Sequence, residues 1–585
     1  MNLFTRIAGK VDDALQALKS EGALPDDLDL SGVEVQEPRD PSHGDFAINA
    51  ALVLAKRAGR KPREIAELLK AKLDADDDLA SIDIAGPGFL NVRLADPAWA
   101  ALLQAILDDP AAFGRSGLGD GQRVQVEFVS ANPTGPMHVG HCRGAVFGDV
   151  LSAVLEAAGY DVSREYYIND AGAQVDKLGL SAVLRYREAL GETIEIPDGH
   201  YPGEYLKPVG ELLKAEHGEG LKDLPEREQI RIGRETAIAF MMDKIKGDLA
   251  GLGVRQDVFF SERSLTSGER DYVADAIALL RGKGLIYEGR LPRPKGHDDD
   301  EWEDREQTLF KSTEFGDDVD RALLKSDGTY TYFANDVGYH HNKLTRGFDT
   351  YFNVLGADHV GYIPRLKAAV SALSDGKADF NTPVCNLVKI MRDGVPVQMS
   401  KRAGTFVALE DVVDEVGRDP VRFMMLMNKS DTQIDFDLAK VVEQSKDNPV
   451  FYVQYAHARI ASVFRNAETA FPNLSEADVR AAAGDISRLD DPGERGLLQR
   501  LSRYPRLVES AARDREPHRV PRYLYDVAAA LHGQWARGND SPHLRFIADD
   551  DYGLTCARLA LARSVQSVLK SGLGILGVEA PDEMR

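Results

Sequence analysis

The spacing of hydrophobic residues predicts alternating strands and helices in the middle of the chain. Residues VQVEFVS (124–130) form an apolar, β-branched run, which predicts a buried strand. In GHCRGAVFGDVLSAVLEAAGY (140–160) the apolar positions fall on one helical face, and Gly159 suits the end of a helix. DVSREYYIND (161–170) then predicts a second strand. This order of strand, Pro/Gly loop, helix and strand predicts one βαβ unit of a nucleotide-binding sheet.

The patterns on both sides of this unit predict other architectures. Near the N-terminus, two helical runs at 48–59 and 62–73 precede an alternating strand–turn–strand run, IDIAGPGFLNVRL (82–94). Further strands are predicted at TYTYFAND (329–336), DTYFNVLGADH (349–359) and VCNLVKIMRD (384–393). From about residue 406 to the end the pattern is almost purely helical, which predicts a separate helical core.

We therefore predict an α/β fold class in which a Rossmann-type parallel-sheet domain lies between an N-terminal α+β domain and a C-terminal all-α helical bundle. The Gly-rich connector GRSGLGDGQ (114–122) marks the first boundary. The predicted segments are residues 1–115 for the N-terminal domain, 120–405 for the sheet domain with a helical and loop insertion around 180–330, 406–445 for a linking helical segment, and 446–585 for the bundle.

The composition agrees with several globular domains. Hydrophobic residues make up 43% and charged residues 28% of 585 residues, a length that predicts three or four domains. No apolar run approaches the roughly 20 residues that a membrane-spanning helix needs. The N-terminus lacks the apolar block and cleavage site of a secretory signal. We therefore expect a cytoplasmic protein with no membrane partner. We also expect a monomer, although no pattern in the sequence determines the oligomeric state.

The charge balance gives an ambiguous indication of the partner. The net charge is −23, from 71 basic and 94 acidic residues, and alone it argues against a nucleic-acid partner. However, acidic residues are concentrated in short blocks such as DADDDLA (74–80) and GHDDDEWED (296–304), while 56–64 and 500–522 are basic. Local basic surfaces on an acidic protein remain compatible with the sequence.

Two histidines, His138 and His141, stand three residues apart in SANPTGPMHVGHCR (130–143). They could be a metal pair, two structural rings or ligands of a phosphate chain. At a strand-to-helix turn, the backbone N–H groups around Gly140 and the positive end of the helix dipole form an anion site. The two imidazoles lie on one side of the helix and can donate to phosphate oxygens.

A metal site is disfavoured by the cysteine pattern. No CxxC pair or zinc spacing links the three cysteines, Cys142, Cys385 and Cys556.

A second candidate segment, QMSKRAGTF (398–406), is basic and contains glycine. A lysine there can stabilise a pyrophosphate in a transition state, although an ordinary solvated loop has the same composition.

Taken together, these segments resemble the two signatures of class I aminoacyl-tRNA synthetases. HVGH resembles the "HIGH" motif and QMSKR resembles the "KMSKS" motif, about 260 residues apart. Further motifs are similar to arginyl-tRNA synthetase along nearly the whole chain: VEFVSANPTGPMHVGHCRG (126–144), GEYL (203–206), TYTYFANDVGYH (329–340), VQMSKRAGTFVALEDVVDEVGRD (397–419), FYVQYAHARI (451–460) and LKSGLGILGVEAPDEM (569–584). The resemblance implies ATP-dependent ligation of L-arginine to the 3′ end of its cognate tRNA through an arginyl-adenylate.

The resemblance also implies an arginine site. Its positions fall on Glu127, Asn132, Tyr332, Asp336 and, more weakly, His359. A planar guanidinium with five donors is best bound by carboxylates, so we expect Glu127, Tyr332 and Asp336 at the guanidinium end. Asn132 and His359 would hold the amino or carboxylate end. The alternative is that Glu127 and Asp336 are paired with basic neighbours inside the fold.

For ATP, the resemblance implies contacts from His138, Gly140 and His141 to the phosphates, from Asp358 in GADH (356–359) to the ribose, and from Met399 and Lys401. His138, His141 and Lys401 would be the catalytic residues. Gln398 replaces the first lysine of the signature, so Arg402 or another cation would share the pyrophosphate charge. Mg²⁺ would bind together with ATP, and we expect no metal held by the protein alone.

For the tRNA, the resemblance implies three contact regions. Tyr452, Tyr455 and Arg459 share one helix face and suit stacking on anticodon bases, although the same spacing is common in helix cores. The other tRNA-binding residues implied are Met584 for the anticodon, Phe89 and Asn91 for the elbow, and Tyr201 and Tyr205 near the 3′ end.

Two other functions stay open on the sequence alone. One is a different class I synthetase, such as the cysteinyl or methionyl enzyme, which the missing zinc-type clusters and the acidic candidates disfavour. The other is an inactive relative that binds RNA or a protein, which Gln398 leaves possible. The resemblance also implies that arginine is activated only with tRNA bound.

Overall fold

The structure is a computed structural model that describes residues 1–38, 40–291, 305–397, 407–445 and 447–584. The acidic block 296–304 and the segment 398–406 therefore lie outside the described residues. The chain divides into two compact units, one formed by Met1–Ser116 with Gln444–Arg585 and the other by Gly117–Glu443. In the described part of the chain, no helix is long and apolar enough to span a bilayer.

The N-terminal part of the first unit is an α+β structure built on a four-stranded antiparallel sheet. Its elements are α1 (Leu3–Ser20), β1 (Val35–Gln36), β2 (Phe46–Ile48), α2 (Ala50–Ala58), α3 (Pro62–Leu73), β3 (Leu79–Ala85), β4 (Phe89–Leu94) and α4 (Asp96–Asp108). The strand order is β1-β2-β4-β3, and β3 and β4 form the predicted hairpin. Both predicted helices are present, and Pro62 occupies the first turn of α3, where its missing N–H costs no helical hydrogen bond.

The second unit contains the predicted parallel sheet. Its elements are β5 (Arg123–Glu127), α5 (Val139–Ala157), β6 (Asp161–Ile168), α6 (Ala173–Ala189), α7 (Lys207–His217), α8 (Glu226–Gly251), β7 (Val258–Ser261), α9 (Ser264–Ser267), α10 (Tyr272–Gly282), β8 (Ile286–Gly289), β9 (Gln307–Phe310), β10 (Arg321–Leu324), α11 (Tyr332–Thr345), β11 (Thr350–Asn353), β12 (Leu355–Gly356), α12 (Ile363–Ser374), β13 (Asp379–Asn381), β14 (Val384–Cys385), β15 (Val388–Arg392), β16 (Val395–Pro396), α13 (Leu409–Val416), α14 (Arg418–Met425) and β17 (Ile434–Asp437).

The main sheet has the order β13-β11-β5-β6-β7, and all of its pairs are parallel. The βαβ unit β5-α5-β6 is as predicted. In this order, β6 and β7 are added on one side of β5, and β11 and β13 are added on the other side. The order in which the strands are added therefore reverses between β5 and β11. Such a switch opens a crevice at the C-terminal ends of the strands, where ligands bind in sheets of this kind.

Three secondary-structure expectations are wrong. The run at 329–336 was expected to be a strand, but Tyr332 begins helix α11, capped by the Thr331 hydroxyl, which accepts from Ala334 N–H at 3.2 Å. The buried residues Phe333, Ala334 and Val337 have helical spacing, and burial of this face outweighs the strand preference of the aromatic residues. Strand β7 lies inside the stretch assigned to an insertion. Strand β17 interrupts the stretch expected to be purely helical and pairs with β15.

The C-terminal helices complete the first unit. They are α15 (Pro449–Ala470), α16 (Glu476–Ala482), α17 (Pro492–Arg513), α18 (Arg519–Asp540) and α19 (Tyr552–Leu576). The predicted helical bundle therefore forms, and it packs on the N-terminal part of the same unit. Arg495 of α17 forms an ion pair with Asp96 of α4 at 2.7 Å, and Asn2 donates to Glu509 at 3.1 Å.

Candidate active site

Two acidic side chains lie at the C-terminal ends of strands in the main sheet, one on the central strand β5 and one after the edge strand β7. Glu127 is the last residue of β5, and Glu262 follows β7 directly. Helix α11 packs across this edge and donates hydrogen bonds to three acids from adjacent strands. Asn335 Nδ2 donates to Glu262, directly after β7, at 2.8 Å, and Tyr339 Oη donates to Glu165 of β6 at 2.7 Å. Lys343 Nζ donates to Glu127 of β5. The spacing of four residues puts all three donors on one helix face.

Not all of these acids are neutralised to the same extent. Glu127 is paired with the buried Lys343, whose ammonium also donates to Asn353 at 2.7 Å. Burial disfavours the charged form of Glu165, but the hydrogen bond from Arg346 and the charges of Lys343 and Arg346 outweigh burial and lower its pKa. These two acids therefore already have cationic partners within the fold, as the alternative interpretation expected for Glu127.

Asp336 and Glu262 are in a different electrostatic situation. Burial raises the pKa of Asp336 to about 7; the charges of Glu262 and Glu127 add to the rise, and a hydrogen bond donated by Tyr362 opposes it. Burial also raises the pKa of Glu262 to about 7, and the charge of Asp170 adds to the rise. Carboxyl groups that repel each other in a partly dry crevice would gain most from a bound cation.

A strained turn follows β5 at the same edge. Val129 and Ser130 have φ values of 72° and 42°, a region that a β-branched residue such as Val129 rarely adopts. The Ser130 hydroxyl donates to Glu127 Oε1 at 3.0 Å and accepts from Tyr167 N–H at 3.1 Å. These bonds hold the turn, and such strain is typical of functional sites.

The two signature histidines form the N-terminal cap of α5. Gly140 N–H donates to His138 Nδ1 at 3.1 Å, and His138 N–H donates to His141 Nδ1 at 3.2 Å. Their rings stack with centroids 3.9 Å apart. Because each Nδ1 accepts a hydrogen bond, the proton of each neutral ring is on Nε2, which makes Nε2 a donor. A Cβ on residue 140 would lie 2.8 Å from the His138 ring, so this cap requires Gly140.

The segment that follows the lysine signature is hydrogen-bonded to this cap. Val139 N–H donates to Val407 O at 3.2 Å, and Leu409 N–H donates to Met137 O at 3.0 Å. An antiparallel bridge joins His138 to Ala408. Gln398, Met399, Lys401 and Arg402 themselves lie outside the described residues. The two signatures, distant in sequence, are nevertheless connected through residues 407–409.

The other predicted small-molecule contacts lie in loops, in a 3-10 turn and at the start of α11. Asn132 is exposed, and its Nδ2 donates to Gln174 at 3.4 Å. The Tyr332 hydroxyl, at the start of α11, accepts from Asn169 at 3.0 Å. Asp358 and His359 lie in an exposed 3-10 turn, Ala357–Tyr362, that follows β12, and their side chains approach to 3.5 Å.

The Pro/Gly loop before the histidines is contacted by one of the two predicted 3′-end residues. Tyr205 Oη donates to Thr134 O at 2.8 Å, and Tyr205 also lies against Gly135. Burial raises the pKa of Tyr205 to about 12, which keeps its hydroxyl protonated as a donor. Tyr201 is half-buried, and its backbone N–H donates to Ser181 at 3.1 Å.

Three of the four predicted anticodon residues, Tyr452, Tyr455 and Arg459, lie together in the first unit. Arg459 stands over the Tyr455 ring at 4.5 Å, and Tyr455 and Tyr452 both pack against His532, with ring centroids 5.7 Å and 4.4 Å apart. Tyr455 is 38% exposed, so it is not a simple core residue. The C-terminal tail runs along α15, where Gln454 donates to Glu579 O at 3.0 Å, and it ends with the half-buried Met584.

The two predicted elbow residues differ in exposure. Phe89 begins β4 and is 40% exposed, whereas Asn91 is only 8% exposed in the middle of the sheet. Phe89 therefore presents an aromatic surface, while Asn91 lies mainly within the fold. In the described residues, no group of three or more His, Cys, Asp or Glu side chains could hold a metal ion.

Glu262 is a candidate site residue that sequence reasoning missed. It lies in a stretch assigned to an insertion, and only pairing of β7 with β6 brings it to the sheet edge. The available signal was the short aromatic run VFFS (258–261), which is followed by a single acid.

Class I aminoacyl-tRNA synthetases are the class of protein that this parallel sheet, histidine-capped helix and helical bundle define. Residues 103–200 match the family model "tRNA synthetases class I (R), catalytic domain", residues 5–94 match "Arginyl tRNA synthetase N terminal domain", and residues 453–584 match "DALR anticodon binding domain".

The particular family follows from whole-chain relatives. A protein named arginine–tRNA ligase from Nitrobacter winogradskyi is 59% identical over 100% of this chain and 99% of its own length, and one of the same name from Rhodopseudomonas palustris is equally similar. The chain therefore belongs to the arginyl-tRNA synthetase family, as its motifs indicated. The Thermus thermophilus arginyl-tRNA synthetase structure has the same fold, with a TM-score of 0.73 and 22% identity over the whole of both chains.

Proposed function

We propose that this protein ligates L-arginine to the 3′ end of its cognate tRNA, using ATP and passing through an arginyl-adenylate. The observation that carries the proposal is the pairing of two carboxyl groups that have no ion pair among the described residues, Asp336 of α11 and Glu262 after β7, in the unit that also bears the histidine-capped helix. A cationic side chain and a polyphosphate suit these two parts of one crevice.

For arginine, we assign the guanidinium to Asp336 and Glu262, with Tyr332 beside them. Two carboxylates and a hydroxyl match the five donors of a planar guanidinium. Glu127 remains a candidate, but its ion pair with Lys343 makes Glu262 the stronger second carboxylate. Asn132, at the opposite side of the turn, and more weakly His359, would hold the amino or carboxylate group.

For ATP, we assign the phosphates to the backbone N–H groups around Gly140 and to the Nε2 donors of His138 and His141. Asp358 is exposed at the end of a strand and would bind the ribose. Lys401 and Met399 would contribute from the segment that connects to the histidine cap through residues 407–409. Mg²⁺ fits as a companion of the ATP phosphates, where it would reduce their negative charge.

The chemistry requires mainly positioning and charge stabilisation. The arginine carboxylate attacks the α-phosphorus in line, and the bond to pyrophosphate breaks as the new phosphorus–oxygen bond forms. His138, His141 and Lys401 stabilise the negative charge that develops on the phosphate oxygens. A hydroxyl of the tRNA 3′ adenosine then attacks the arginyl carbonyl and releases AMP.

For the tRNA, we assign the anticodon to the aromatic surface of Tyr452, Tyr455 and Arg459, and we expect a further anticodon contact from Met584 in the C-terminal tail. The elbow would contact the N-terminal α+β part through Phe89, with Asn91 supporting that strand. Tyr201 and Tyr205 lie near the Pro/Gly loop and suit the 3′ end. We expect a monomer that acts in the cytoplasm, with the four segments expected from the sequence as its functional domains.

The test is ATP–pyrophosphate exchange with purified protein. We expect exchange that depends on arginine and on cognate tRNA, and that cysteine and methionine do not support. Asp336→Asn should abolish most of this exchange while leaving ATP binding intact. Absence of arginine-dependent exchange with cognate tRNA present would refute the proposal and favour an inactive RNA-binding relative.

A further inference from the structure

A buried arginine, two residues after the histidine signature, binds three backbone carbonyls. Arg143 lies on α5 and is 1% exposed. Its Nη1 donates to Asn386 O at 3.2 Å and to Thr432 O, and its Nη2 donates to Lys429 O at 2.7 Å. All three acceptors are neutral, and burial lowers the pKa of Arg143. A buried charge held only by neutral groups is costly, whereas a planar fork of donors fixes its acceptors in a defined geometry. This side chain therefore contributes geometry more than stability.

The bound carbonyls lie at the starts of two paired strands. Asn386 is two residues before β15, Thr432 is two residues before β17, and these strands pair in parallel. Asn386 also binds the turn that precedes β17, because its N–H donates to Ser430 O at 2.8 Å and its Nδ2 donates to Asp431 O at 2.9 Å. Arg143 therefore holds the N-terminal ends of both strands together on α5.

These two strands lie on either side of the lysine segment along the chain. From β15 the chain continues through β16 to residue 397, and after residues 398–406 it continues through α13 and α14 to β17. Residues 407–409 are in addition hydrogen-bonded to the histidine cap of α5. The first turns of one helix thus bind the chain that leads into the lysine segment and the chain that leads out of it.

A second buried arginine attaches α14 to the same helix by a different kind of contact. Arg422 of α14 is 1% exposed, and its Nη2 donates to Asp149 of α5 at 2.5 Å. It also donates to Leu252 O at 3.1 Å. This ion pair keeps α14 on α5 without any contribution from Arg143. We therefore expect loss of the Arg143 hydrogen bonds to displace the strand starts rather than to unfold the unit.

We propose that Arg143 is a positioning residue for the attack on ATP, which fixes the β15–β17 strand pair against the helix that begins at the His138 and His141 cap. The inference rests on the proposed function, because it concerns the step that forms the arginyl-adenylate. Arg143 is buried, and it acts through backbone carbonyls rather than on the substrates. Lys401 can stabilise the pyrophosphate only if it reaches the phosphates that the two histidines bind, and a misplacement of about 1 Å can lower a rate about 100-fold.

The experiment measures kcat and KM of the full-length protein in arginine-dependent ATP–pyrophosphate exchange with cognate tRNA. Arg143→Lys keeps the positive charge, but a single ammonium replaces the planar fork and cannot hold all three carbonyls. We expect kcat to fall between about 10-fold and 100-fold while the KM for arginine stays the same. Arg164→Lys is the matched control, because it replaces another buried guanidinium that binds α5, there through Glu156, and it should leave kcat unchanged.

The same substitutions in a Lys401→Ala background separate positioning from a general loss of structure. If Arg143 acts through the lysine segment, Arg143→Lys should lower kcat by less than about twofold once Lys401 is absent, because the group that it positions is gone. A structural defect would lower kcat by the same factor in both backgrounds. Equal factors in the two backgrounds, or an unchanged kcat in Arg143→Lys alone, would overturn the proposal.

Asn386→Ala decides the question if Arg143→Lys fails to fold. It removes the amide hydrogen bond to the Asp431 carbonyl and leaves Arg143 in place. We expect a smaller fall in kcat that again requires Lys401, and a fall of equal size in both backgrounds would contradict the positioning role. Normal exchange without coupling between residues 143 and 401 would remove this inference alone. Absence of arginine-dependent exchange in the unsubstituted protein would remove the proposed function and this inference with it.

Discussion

Arginine binding should become stronger as the pH rises from 6 to 8. The site contains two carboxyl groups, Asp336 and Glu262, whose pKa values burial raises to about 7. At pH 6 both are largely protonated in the empty site, and a guanidinium needs them ionised. Binding of arginine should therefore release protons from the protein near pH 7. The guanidinium that these carboxylates bind stays protonated throughout this range.

The magnitude follows from the titration of one group. If a ligand binds only the ionised form of a carboxyl with a pKa near 7, its apparent Kd is about tenfold higher at pH 6 than at pH 8. Two such groups would change the apparent Kd by up to roughly 100-fold between pH 6 and pH 8. However, Asp336 and Glu262 repel each other and titrate as a coupled pair. We therefore expect a change between about 10-fold and 100-fold.

The same pKa shifts also change the stability of the fold with pH. As the pH rises, they weaken folding, whereas they strengthen arginine binding. The two folded-state values lie above the ordinary values of 3.8 and 4.5, so the folded protein keeps its protons to higher pH than the unfolded chain does. The contribution of these groups to the free energy of unfolding therefore falls as the pH rises from about 4 to about 7. Bound arginine should offset this loss, so its thermal stabilisation of the protein should be larger at pH 8 than at pH 6.

Isothermal titration calorimetry with arginine at pH 6, 7 and 8, in buffers of different ionisation enthalpy, gives both the Kd and the number of protons released. Asp336→Asn should lower arginine affinity far more than ATP affinity and should reduce the proton release. Asp243→Asn, which changes an exposed carboxylate on α8, is the matched control and should leave both unchanged. A Kd that does not vary between pH 6 and 8, or equal losses of arginine and ATP affinity in Asp336→Asn, would refute the assignment.

Two other substitutions test the remaining parts of the crevice. Lys401→Ala should lower kcat about 100-fold with little change in the KM for arginine, because its contact strengthens in the transition state; a selective rise in KM with an unchanged kcat would contradict this role. Lys343→Met leaves the Glu127 carboxylate buried without its partner and should destabilise the second unit by about 3–5 kcal/mol in chemical denaturation. The double variant Glu127→Gln/Lys343→Met should recover part of that loss, and equal stability of the single and double variants would contradict the coupling.

Local sequence patterns were sufficient to predict the helices and strands whose hydrophobic spacing and boundaries are clear. The unit β5-α5-β6, the β3-β4 hairpin and the C-terminal helices all formed as predicted, because each buries one face whose spacing is visible in the sequence. Helix α11 was missed because its first residues, Tyr332 and Phe333, favour strands in isolation. Its helical face became apparent only where Val337 packs in the core of the second unit.

Non-local pairing accounts for the rest. Lys343 and Glu127 are 216 residues apart in sequence, so nothing local indicates that this carboxylate is already neutralised. Glu262 follows a strand of four residues, and such a strand is recognisable only beside β6. The sequence resemblance could name Glu127 and Asp336 as site candidates. That Glu127 is ion-paired with Lys343 while Asp336 is not became visible only in the structure, where α11 packs across the sheet edge.

The wide separation of the two signatures in sequence is compatible with one site, because α5 is held to both flanks of the lysine segment. After that segment, residues 407–409 bond directly to the histidine cap. Before it, the chain passes through β14, β15 and β16, and buried Arg143 of α5 donates to the carbonyl of Asn386, between β14 and β15, at 3.2 Å. Arg143 also donates to the carbonyl of Lys429, which follows the segment, at 2.7 Å. Arg143 therefore binds the chain both before and after the lysine segment, so the helix that follows the histidine cap is tied to the described residues on each side of that segment.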